Sequence, residues 1–386
     1  MARNYQICSR CVMDTSDPDI RFNDDGFCNH CRHYENQIKQ YVFSGEDGSR
    51  RISSIVARIK KDGRGKPYDC VLGLSGGVDS TYLAYLAKQL GLRPYLTVLD
   101  NGYDFEITKR NVQRIADYLG TELHICKIEP AAFRDLQLAY LKSGVINIEV
   151  LTDQAIQAML YRTAARLQLR YVLSGTNLVT EAIMPASWGN YSNMSDLVNI
   201  TDIYRRHGSE LKLTTFPTLS TARMIYYHWW KRIRFVSLLN YATYVKKDAK
   251  ALFASEFNYE DYGPKHCESI ITRFYQFYIL PRRLGVDKRR AHLSCLVMSH
   301  QMTRDKALAE LSSPPYTKEE LRQDMAYVLK YLGLNEEELE SLLSQPVRSH
   351  REYKTDWAVR LALISVYFNP RSALYWLVGR IRGEPW

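Results

Sequence analysis

Two kinds of hydrophobic spacing alternate along residues 70–173. Short apolar runs of strand length recur, and the intervals between them carry apolar residues at helical spacing. The pattern predicts strands at 70–74, 94–99, 123–128 and 170–173, with helices at 78–90, 105–119, 131–142 and 152–168. This alternation is typical of an α/β fold with a doubly wound parallel sheet, whose ligands lie at the carboxyl ends of the strands.

The pattern changes on both sides of this region. Residues 50–66 are basic and read as a linker, and beyond residue 220 the chain becomes helical and rich in aromatic residues. Most of these aromatics are predicted to be core, namely Trp229, Trp230, Phe274, Phe277 and Tyr278. Thr317 with Glu320, and Asn335 with Glu338, have the spacing of capped helices. We therefore expect a cysteine-rich module at 1–45, an α/β domain at 46–220, a helical region at 221–315 and a helical accessory region at 316–386.

The turn after the first predicted strand reads Ser75-Gly76-Gly77-Val78-Asp79-Ser80. Adjacent glycines let the backbone approach a ligand, and the start of the following helix offers unpaired N–H groups and partial positive charge. These features suit a phosphate group. Asp79 beside a phosphate would be repulsive unless Mg²⁺ lies between them. The alternative is an ordinary glycine-rich turn in which Asp79 is a first-turn helix residue.

Two further strand ends are ligand candidates by position. One runs through Leu99 and Asp100 to Asn101-Gly102, and the other is Ser174-Gly175-Thr176-Asn177. Each also fits a plain turn in which Asn and Gly supply positive φ angles.

Four of the eight cysteines lie in the first 31 residues as two CxxC pairs, Cys8/Cys11 and Cys28/Cys31. Two such pairs can present four thiolates in the tetrahedral arrangement of a structural zinc site. Asp24-Asp25-Gly26 between them reads as a hairpin turn, as in a zinc ribbon or knuckle. A redox or thiol-transfer CxxC is the rival interpretation.

Residues 262–308 interleave charged and apolar side chains. Lys265, His266 and Arg273 come first, and a second group of basic residues follows Pro281: Arg283, Lys288, Arg289, Arg290 and His292. A solvated basic surface is the simplest interpretation. Because arginine forks suit phosphate and carboxylate, an anion-binding role is the alternative.

Length and charge restrict the class of protein. The 386 residues allow two or three domains, 46% are hydrophobic, and the formal charge of +10 favours anionic partners. We expect a cytoplasmic enzyme, because the start shows no secretory signal pattern and the apolar stretch near 357–368 is too short to span a bilayer.

The sequence SGGVDS resembles the SGGxDS motif of the PP-loop ATP pyrophosphatases. The resemblance implies that ATP is bound through its β- and γ-phosphates and transfers AMP to a substrate oxygen. It implies cofactor contacts for Ser75, Gly76, Gly77, Asp79 and Ser80, with adenosine near Leu99, Asp100, Gly175, Thr176 and Asn177. ATP, Mg²⁺ and a structural Zn²⁺ are the expected cofactors.

A closer resemblance spans residues 5–315. The paired CxxC start, SGGVDS, GTN followed by Glu181, Trp188-Gly189, and the run TRFYQ…ILP…DKRRAHLS…QMTR together resemble the WbpG-type N-acetyl sugar amidotransferases. This family has Gly-Gly-Lys-His-Tyr where the chain has Gly263-Pro264-Lys265-His266-Cys267, and Ser-Gly-Gln where it has Ser299-His300-Gln301.

The second resemblance implies that an acetamido group on a nucleotide-linked sugar, such as a UDP-diacetamido uronic acid, becomes an acetamidino group during lipopolysaccharide O-antigen synthesis. Catalytic roles are expected for Asp79, Glu181, Lys265, His266 and Arg273. Substrate binding is expected at Arg283, Lys288, Arg289, Arg290 and His292.

Ammonia is expected from another protein, because the chain has neither a Gly-x-Cys-x-Gly elbow nor a nucleophilic cysteine after Met1. The resemblance implies a separate glutaminase and a cyclase-like companion, similar to the subunits of imidazole glycerol phosphate synthase.

Two alternative functions stay open. One is a tRNA-modifying PP-loop enzyme of the thiolase or lysidine-synthase type. The other is a non-catalytic scaffold that binds nucleotide. Under the favoured interpretation, no nucleic acid partner is expected.

Overall fold

The computed structural model describes residues 4–189, 196–209, 213, 215–263, 265 and 267–357. Its centre is a sheet of five parallel strands in the order β3-β2-β1-β4-β5. The strands are β1 Cys70–Leu74, β2 Pro94–Asp100, β3 Leu123–Lys127, β4 Tyr171–Leu173 and β5 Arg234–Val236. Successive strands run outward from β1 in one direction as far as β3, and β4 then pairs with the other side of β1. This reversal places a topological switch point between β1 and β4, where ligands of such sheets bind.

Helices cover the sheet and form the rest of the fold. Those before β4 are α1 Asn29–Tyr41, α2 Gly45–Asp62, α3 Val78–Gln89, α4 Glu106–Leu119, α5 Pro130–Ser143 and α6 Val150–Arg166. Those after β4 are α7 Leu178–Glu181, α8 Leu197–His207, α9 Thr221–Ile225, α10 Lys246–Phe257, α11 Ile270–Phe274, α12 Leu280–Leu284, α13 Arg289–Met298, α14 Arg304–Ser312, α15 Lys318–Leu332 and α16 Glu336–Ser344. The four strands and four helices predicted between residues 70 and 173 are all present.

The two faces of β1 belong to two cores. Cys70, Leu72 and Leu74 pack with apolar residues of α2, α3, α4 and α10, whereas Val71 packs with α5 and α6. This alternation follows from the two-residue period of a strand. Gly73 lies on the α6 face, where a Cβ atom would come within 3.1 Å of Leu160 Cδ2. The doubly wound fold class is therefore confirmed.

The prediction of a linker at residues 50–66 is wrong. Most of that segment belongs to α2, in which Ile52, Val56 and Ile59 are buried against the sheet. Their spacing of four and three residues puts them on one helix face. The many charged residues on the other face concealed this pattern.

Two predictions for the region after residue 220 are also corrected. Residues Arg234–Val236 form β5 at the edge of the sheet, so this region is not purely helical. Trp229 and Trp230 are 53% and 80% exposed, because the π-helical turn that carries them ends at the surface. Phe274, Phe277 and Tyr278 are buried, as predicted.

The two predicted capping boxes are confirmed, at Thr317/Glu320 and at Asn335/Glu338. They begin α15 and α16, which pack on α11, α12 and α5. No helix among the described residues is long and apolar enough to cross a membrane. The predicted apolar stretch 357–368 lies, except for Trp357, outside the described residues.

Candidate active site

The loop after β1 brings backbone N–H groups to the switch point. Gly76 has φ +74°, and a Cβ atom there would come within 2.4 Å of Thr108 Cγ2. The Ser75 and Ser80 hydroxyls lie 3.1 Å apart, and Ser80 Oγ donates to the Gly77 carbonyl at 3.1 Å. The loop is thereby held open at the start of α3, which is a geometry suited to a phosphate group.

The loop after β4 packs directly against the start of α3. A Cβ atom on Gly175 would lie 3.0 Å from the Ser80 backbone nitrogen, so only glycine allows this close approach. Asn177 begins α7 by accepting a hydrogen bond from the Thr180 N–H at 2.9 Å. Its amide also donates to Asp79 Oδ1 at 3.4 Å, which joins the two loops.

Three charged side chains meet between these loops. Lys265 Nζ lies 3.2 Å from Asp79 Oδ2 and 2.5 Å from Glu181 Oε1. Tyr244 donates its hydroxyl hydrogen to Asp79 Oδ1 at 2.5 Å. Burial alone would raise the pKa of Asp79, but Lys265, Lys246 and the Tyr244 hydrogen bond hold that pKa below its ordinary value. Asp79 is therefore ionised at neutral pH, and one lysine links it to Glu181.

These groups open into a cleft of about 430 Å³, which we call the acidic cleft. Its lining includes Ser75, Gly77, Ser80, Leu99, Gly175 and Thr176, so most of the predicted ATP contacts share one cavity. Asp100 is not part of this lining, and its Oδ1 accepts a hydrogen bond from the Gly102 N–H at 3.1 Å. The charged lining residues are Asp79, Asp104, Glu149, Asp153, Glu181, Glu268, Lys246, Lys265 and Lys288.

Three carboxyl groups deeper in the cleft titrate near neutrality. Burial, reinforced by the charge of Glu149, raises the pKa of Asp153 and of Glu268 to about 7 each. Burial and the charge of Glu268 raise the pKa of Asp104 to about 7. A surplus of carboxylates beside a phosphate-binding loop suits Mg²⁺, which is bound by one or two carboxylates together with substrate phosphates.

Four of the predicted basic residues are held by other contacts. Arg273 binds Asp324 through two hydrogen bonds of 2.8 and 2.7 Å, and Arg289 binds Asp287 in the same forked way. Arg290 pairs with Asp14 at 2.9 Å, and Arg283 donates to the Gly144 carbonyl at 3.0 Å. These side chains join segments of the fold, and none of the four lines the acidic cleft.

The remaining predicted residues divide between two places. Lys288 lines the acidic cleft and lies 3.4 Å from Glu149. His292 lines a second, larger cavity that adjoins the cleft. His266 lies outside the described residues.

Sequence reasoning missed several residues of the cleft. Lys246, Tyr244 and Tyr262 reach it from segments far along the chain, and Glu149 and Asp153 come from the start of α6. Among the cleft residues that were not predicted, only Tyr262 and Glu268 had a signal in the sequence, because both lie within the charged segment 262–308. The others became visible only when the fold placed α6 and α10 beside the strand ends.

The four N-terminal cysteines converge as predicted. Their sulfur atoms all lie within 4.8 Å of one another, and three pairs are 3.6–3.7 Å apart. Tetrahedral zinc with Zn–S bonds of ~2.3 Å needs sulfurs roughly 3.8 Å apart. Backbone N–H groups of Cys11, Met13 and Cys28 point at the sulfurs, which favours thiolates. The geometry fits a closed structural site, and it is the one such cluster in the described part of the chain.

Two family models match the chain. NAD synthase matches residues 50–217, and the C-terminal domain of WbpG-like lipopolysaccharide biosynthesis proteins matches residues 268–363. Among solved structures, NMN synthetase from Francisella tularensis is similar at 15% identity and a TM-score of 0.27, covering 56% of this chain and 98% of that one. No curated protein matches the chain significantly.

The switch-point loop, the parallel sheet and the NAD synthase match over residues 50–217 define a PP-loop domain of the NAD synthase type. The match over residues 268–363 shows in addition that the chain carries a domain like the C-terminal domain of WbpG-like lipopolysaccharide biosynthesis proteins. Both matches point to an ATP-using, amidotransferase-like function connected with lipopolysaccharide biosynthesis.

Proposed function

We propose that the protein replaces the acetamido oxygen of a nucleotide-linked N-acetyl sugar with ammonia, at the expense of ATP. The product is an acetamidino sugar, and AMP and pyrophosphate are released. The observation that carries the proposal is the junction of the Ser75–Ser80 loop with the Asp79–Lys265–Glu181 group at the switch point. A UDP-linked diacetamido uronic acid of O-antigen synthesis is the substrate class we favour.

The reaction needs activation because an amide carbonyl is a poor electrophile and oxide a poor leaving group. The amide oxygen attacks the α-phosphorus of ATP, and the bond to the pyrophosphate group breaks. Ammonia then adds to the imidate carbon, one of its protons is lost, and AMP leaves with the former amide oxygen. Atoms therefore balance: the sugar gains nitrogen and loses oxygen to AMP.

The protein's contribution to the first step is positioning and charge. The N–H groups of the Ser75–Gly77 loop and the hydroxyls of Ser75 and Ser80 bind the departing pyrophosphate. Lys265, already charged between Asp79 and Glu181, stabilises the negative charge that develops on the phosphoryl oxygens. Mg²⁺, held by cleft carboxylates such as Asp79, would neutralise the phosphates.

The second step needs a group that accepts a proton from the attacking ammonia. Glu181 lies at the cleft and is held by Lys265 and by the Asn177 N–H at 3.1 Å. We assign it this role. Arg273 would act by holding α11 against α15 through Asp324, and so by positioning the segment that carries Glu268 and Lys265.

Ammonia would be supplied by a separate glutaminase with a cyclase-like companion subunit. This part of the proposal is tested by comparing glutamine with ammonium chloride as the nitrogen source. We expect turnover with ammonium alone and turnover with glutamine only after the two companions are added. Full activity of the isolated chain with glutamine would contradict it.

The decisive test incubates the purified protein with MgATP, ammonium chloride and a panel of UDP-linked diacetamido sugars. Pyrophosphate release and a sugar product lighter by the difference between O and NH would support the proposal. Pyrophosphate that appears only when tRNA is added would overturn it in favour of a tRNA-modifying enzyme.

A further inference from the structure

A second cavity of about 830 Å³ adjoins the acidic cleft, and we call it the basic cavity. Its walls come from the start of α10, from α13 and from α14, with Arg10 contributed by the cysteine module. The basic residues that line it are Arg10, Lys246, Lys247, Lys250, Lys265, Arg289, Arg304 and Lys306, with His292 and His300. Among the described lining residues, Glu310 is the one carboxylate.

The basic cavity and the acidic cleft share two side chains. Lys246 and Lys265 line both spaces, and Lys265 contacts Asp79 and Glu181 directly. A ligand in the basic cavity can therefore extend past these lysines to the reacting groups of the cleft.

The lysines and arginines of the basic cavity differ in whether an acidic partner holds them. Lys250 pairs with Asp261 at 2.7 Å, and Arg289 pairs with Asp287. In the described part of the chain, Lys246, Lys247 and Lys306 make no ion pair within 4.0 Å. Burial, together with the charges of Lys265 and Lys250, lowers the pKa of Lys246 despite the attraction of Asp79. An anion in this cavity would relieve that repulsion.

The cavity also has an apolar wall. Phe277, Leu296 and Met302 are among its lining residues, beside the lysines. A ligand that combines an anionic group with a flat or weakly polar ring fits such a wall better than a small free anion does.

We propose that the basic cavity binds the diphosphate of the nucleoside-diphosphate-linked acceptor, with Lys246, Lys247 and Lys306 as its ligands. This inference rests on the proposed function. It assigns the diphosphate to lysines rather than to Arg283, Arg289 and Arg290, whose guanidinium groups are held by Gly144, Asp287 and Asp14. Arg289 lines the cavity but is already paired there. The sugar would lie beyond the diphosphate, past Lys246 and Lys265, with its acetamido group in the acidic cleft.

A diphosphate in this cavity has two sources, the acceptor or the pyrophosphate that leaves ATP. The test titrates UDP and, separately, inorganic pyrophosphate into the full-length protein by calorimetry. The protein is first saturated with Mg²⁺ and a non-hydrolysable ATP analogue, so that the Ser75–Ser80 loop is occupied.

The variants are Lys247→Ala and Lys306→Ala, both at exposed positions, with Lys330→Ala on the surface of α15 as the matched control. We expect each of the first two to weaken UDP binding by about 5- to 10-fold, with the ATP analogue and the control unaffected. Unchanged UDP affinity in both variants would overturn the proposal. Tight pyrophosphate binding without UDP binding would also overturn it and assign the cavity to the leaving group.

These outcomes separate this inference from the proposed function. In one outcome, UDP binding depends on Lys247 and Lys306 but no acetamido sugar is converted to an amidine. This outcome would support the diphosphate site in the basic cavity and refute the proposed reaction. Amidine formation with a sugar KM unchanged in both variants would leave the reaction intact and refute the cavity assignment.

Discussion

The acidic cleft and the basic cavity adjoin but carry opposite charge. Six carboxylates and three lysines line the cleft, whereas eight lysines and arginines and one carboxylate line the described part of the cavity. Two adjoining spaces with opposite charge are suited to two tasks. The cleft can hold a metal-bound triphosphate and move protons, and the cavity can retain an anionic partner without competing for the same groups.

The boundary between these regions depends on two lysines. The positive charge of Lys265 is balanced by the carboxylates of Asp79 and Glu181, both of which line the acidic cleft. Lys246 has a lowered pKa because burial and neighbouring lysines outweigh the attraction of Asp79. The comparison therefore predicts that changes in the cleft alter turnover, whereas changes in the cavity alter retention of the acceptor.

The largest effect is expected from Asp79→Asn. The variant loses the negative charge that Lys265, Tyr244 and Asn177 surround, and turnover should fall about 100- to 1,000-fold. Pyrophosphate release measures turnover. Calorimetry measures the affinity of the basic cavity for UDP, which should be unchanged. Asp261→Asn, an exposed partner of Lys250, is the control for loss of a carboxylate. Wild-type turnover of Asp79→Asn would contradict the assignment of the cleft.

The next largest effect is expected from Cys28→Ser, which removes one of four sulfur ligands. Arg304 donates to the carbonyls of Cys8 and Cys11 and lines the basic cavity, so loss of the metal should disturb the cavity wall. We expect loss of bound zinc by elemental analysis, a lower Tm and UDP binding about tenfold weaker. Cys126→Ser, on β3, is the control. Full zinc content in Cys28→Ser would contradict the four-cysteine site.

A third prediction concerns the cleft alone. In Gly175→Ala the new methyl group meets the Ser80 backbone at 3.0 Å and displaces the phosphate loop. We expect ATP affinity to fall by about tenfold with UDP binding unchanged. Gly120→Ala provides the control, because that glycine has φ +65° and open space around it. Its cost is limited to backbone strain of ~1 kcal/mol, without an effect on ATP binding. Equal ATP affinity in the two variants would contradict the close packing of the two loops.

The smallest effect concerns pH and Asp153. Because the folded state raises this pKa to about 7, the folded protein keeps a proton that the unfolded chain releases near pH 4. The resulting destabilisation is absent below about pH 4, grows as pH rises, and is complete above about pH 7. Asp153→Asn should therefore raise the free energy of unfolding at pH 8 by ~1–2 kcal/mol, a value that is discounted because the side chain is partly exposed. At pH 5 the same substitution should change the free energy of unfolding only slightly.

Urea unfolding at the two pH values measures this difference. The control is Asp305→Asn at the exposed start of α14. Equal effects of Asp153→Asn at pH 5 and pH 8 would contradict the raised pKa.

The sequence predicted the parts of this comparison that depend on local pattern. The strand–loop–helix around Ser75–Ser80, the cysteine cluster and the capping boxes each depend on residues close together in the chain. The role of Lys246 could not be predicted, since it comes from the packing of α10 against α3 and α4. The structural role of Arg273 could not be recognised, because its partner Asp324 lies 51 residues further along the chain. Arg289 has a local partner in Asp287, but its bond to the Glu310 carbonyl at the end of α14 depends on the fold. The exposure of Trp229 and Trp230 could not be predicted, because aromatic character alone does not indicate which side of a helical turn is buried.

Adenylation of the acetamido group is tested by following the acetamido oxygen itself. The acceptor sugar is synthesised with a heavy-oxygen label in its acetamido carbonyl and incubated with the protein, MgATP and ammonium. Mass spectrometry of the released AMP reports where that oxygen goes. We expect AMP to carry the label, because the amide oxygen attacks the α-phosphorus and leaves with it. Unlabelled AMP formed alongside an amidine product would contradict adenylation of the amide in the acidic cleft.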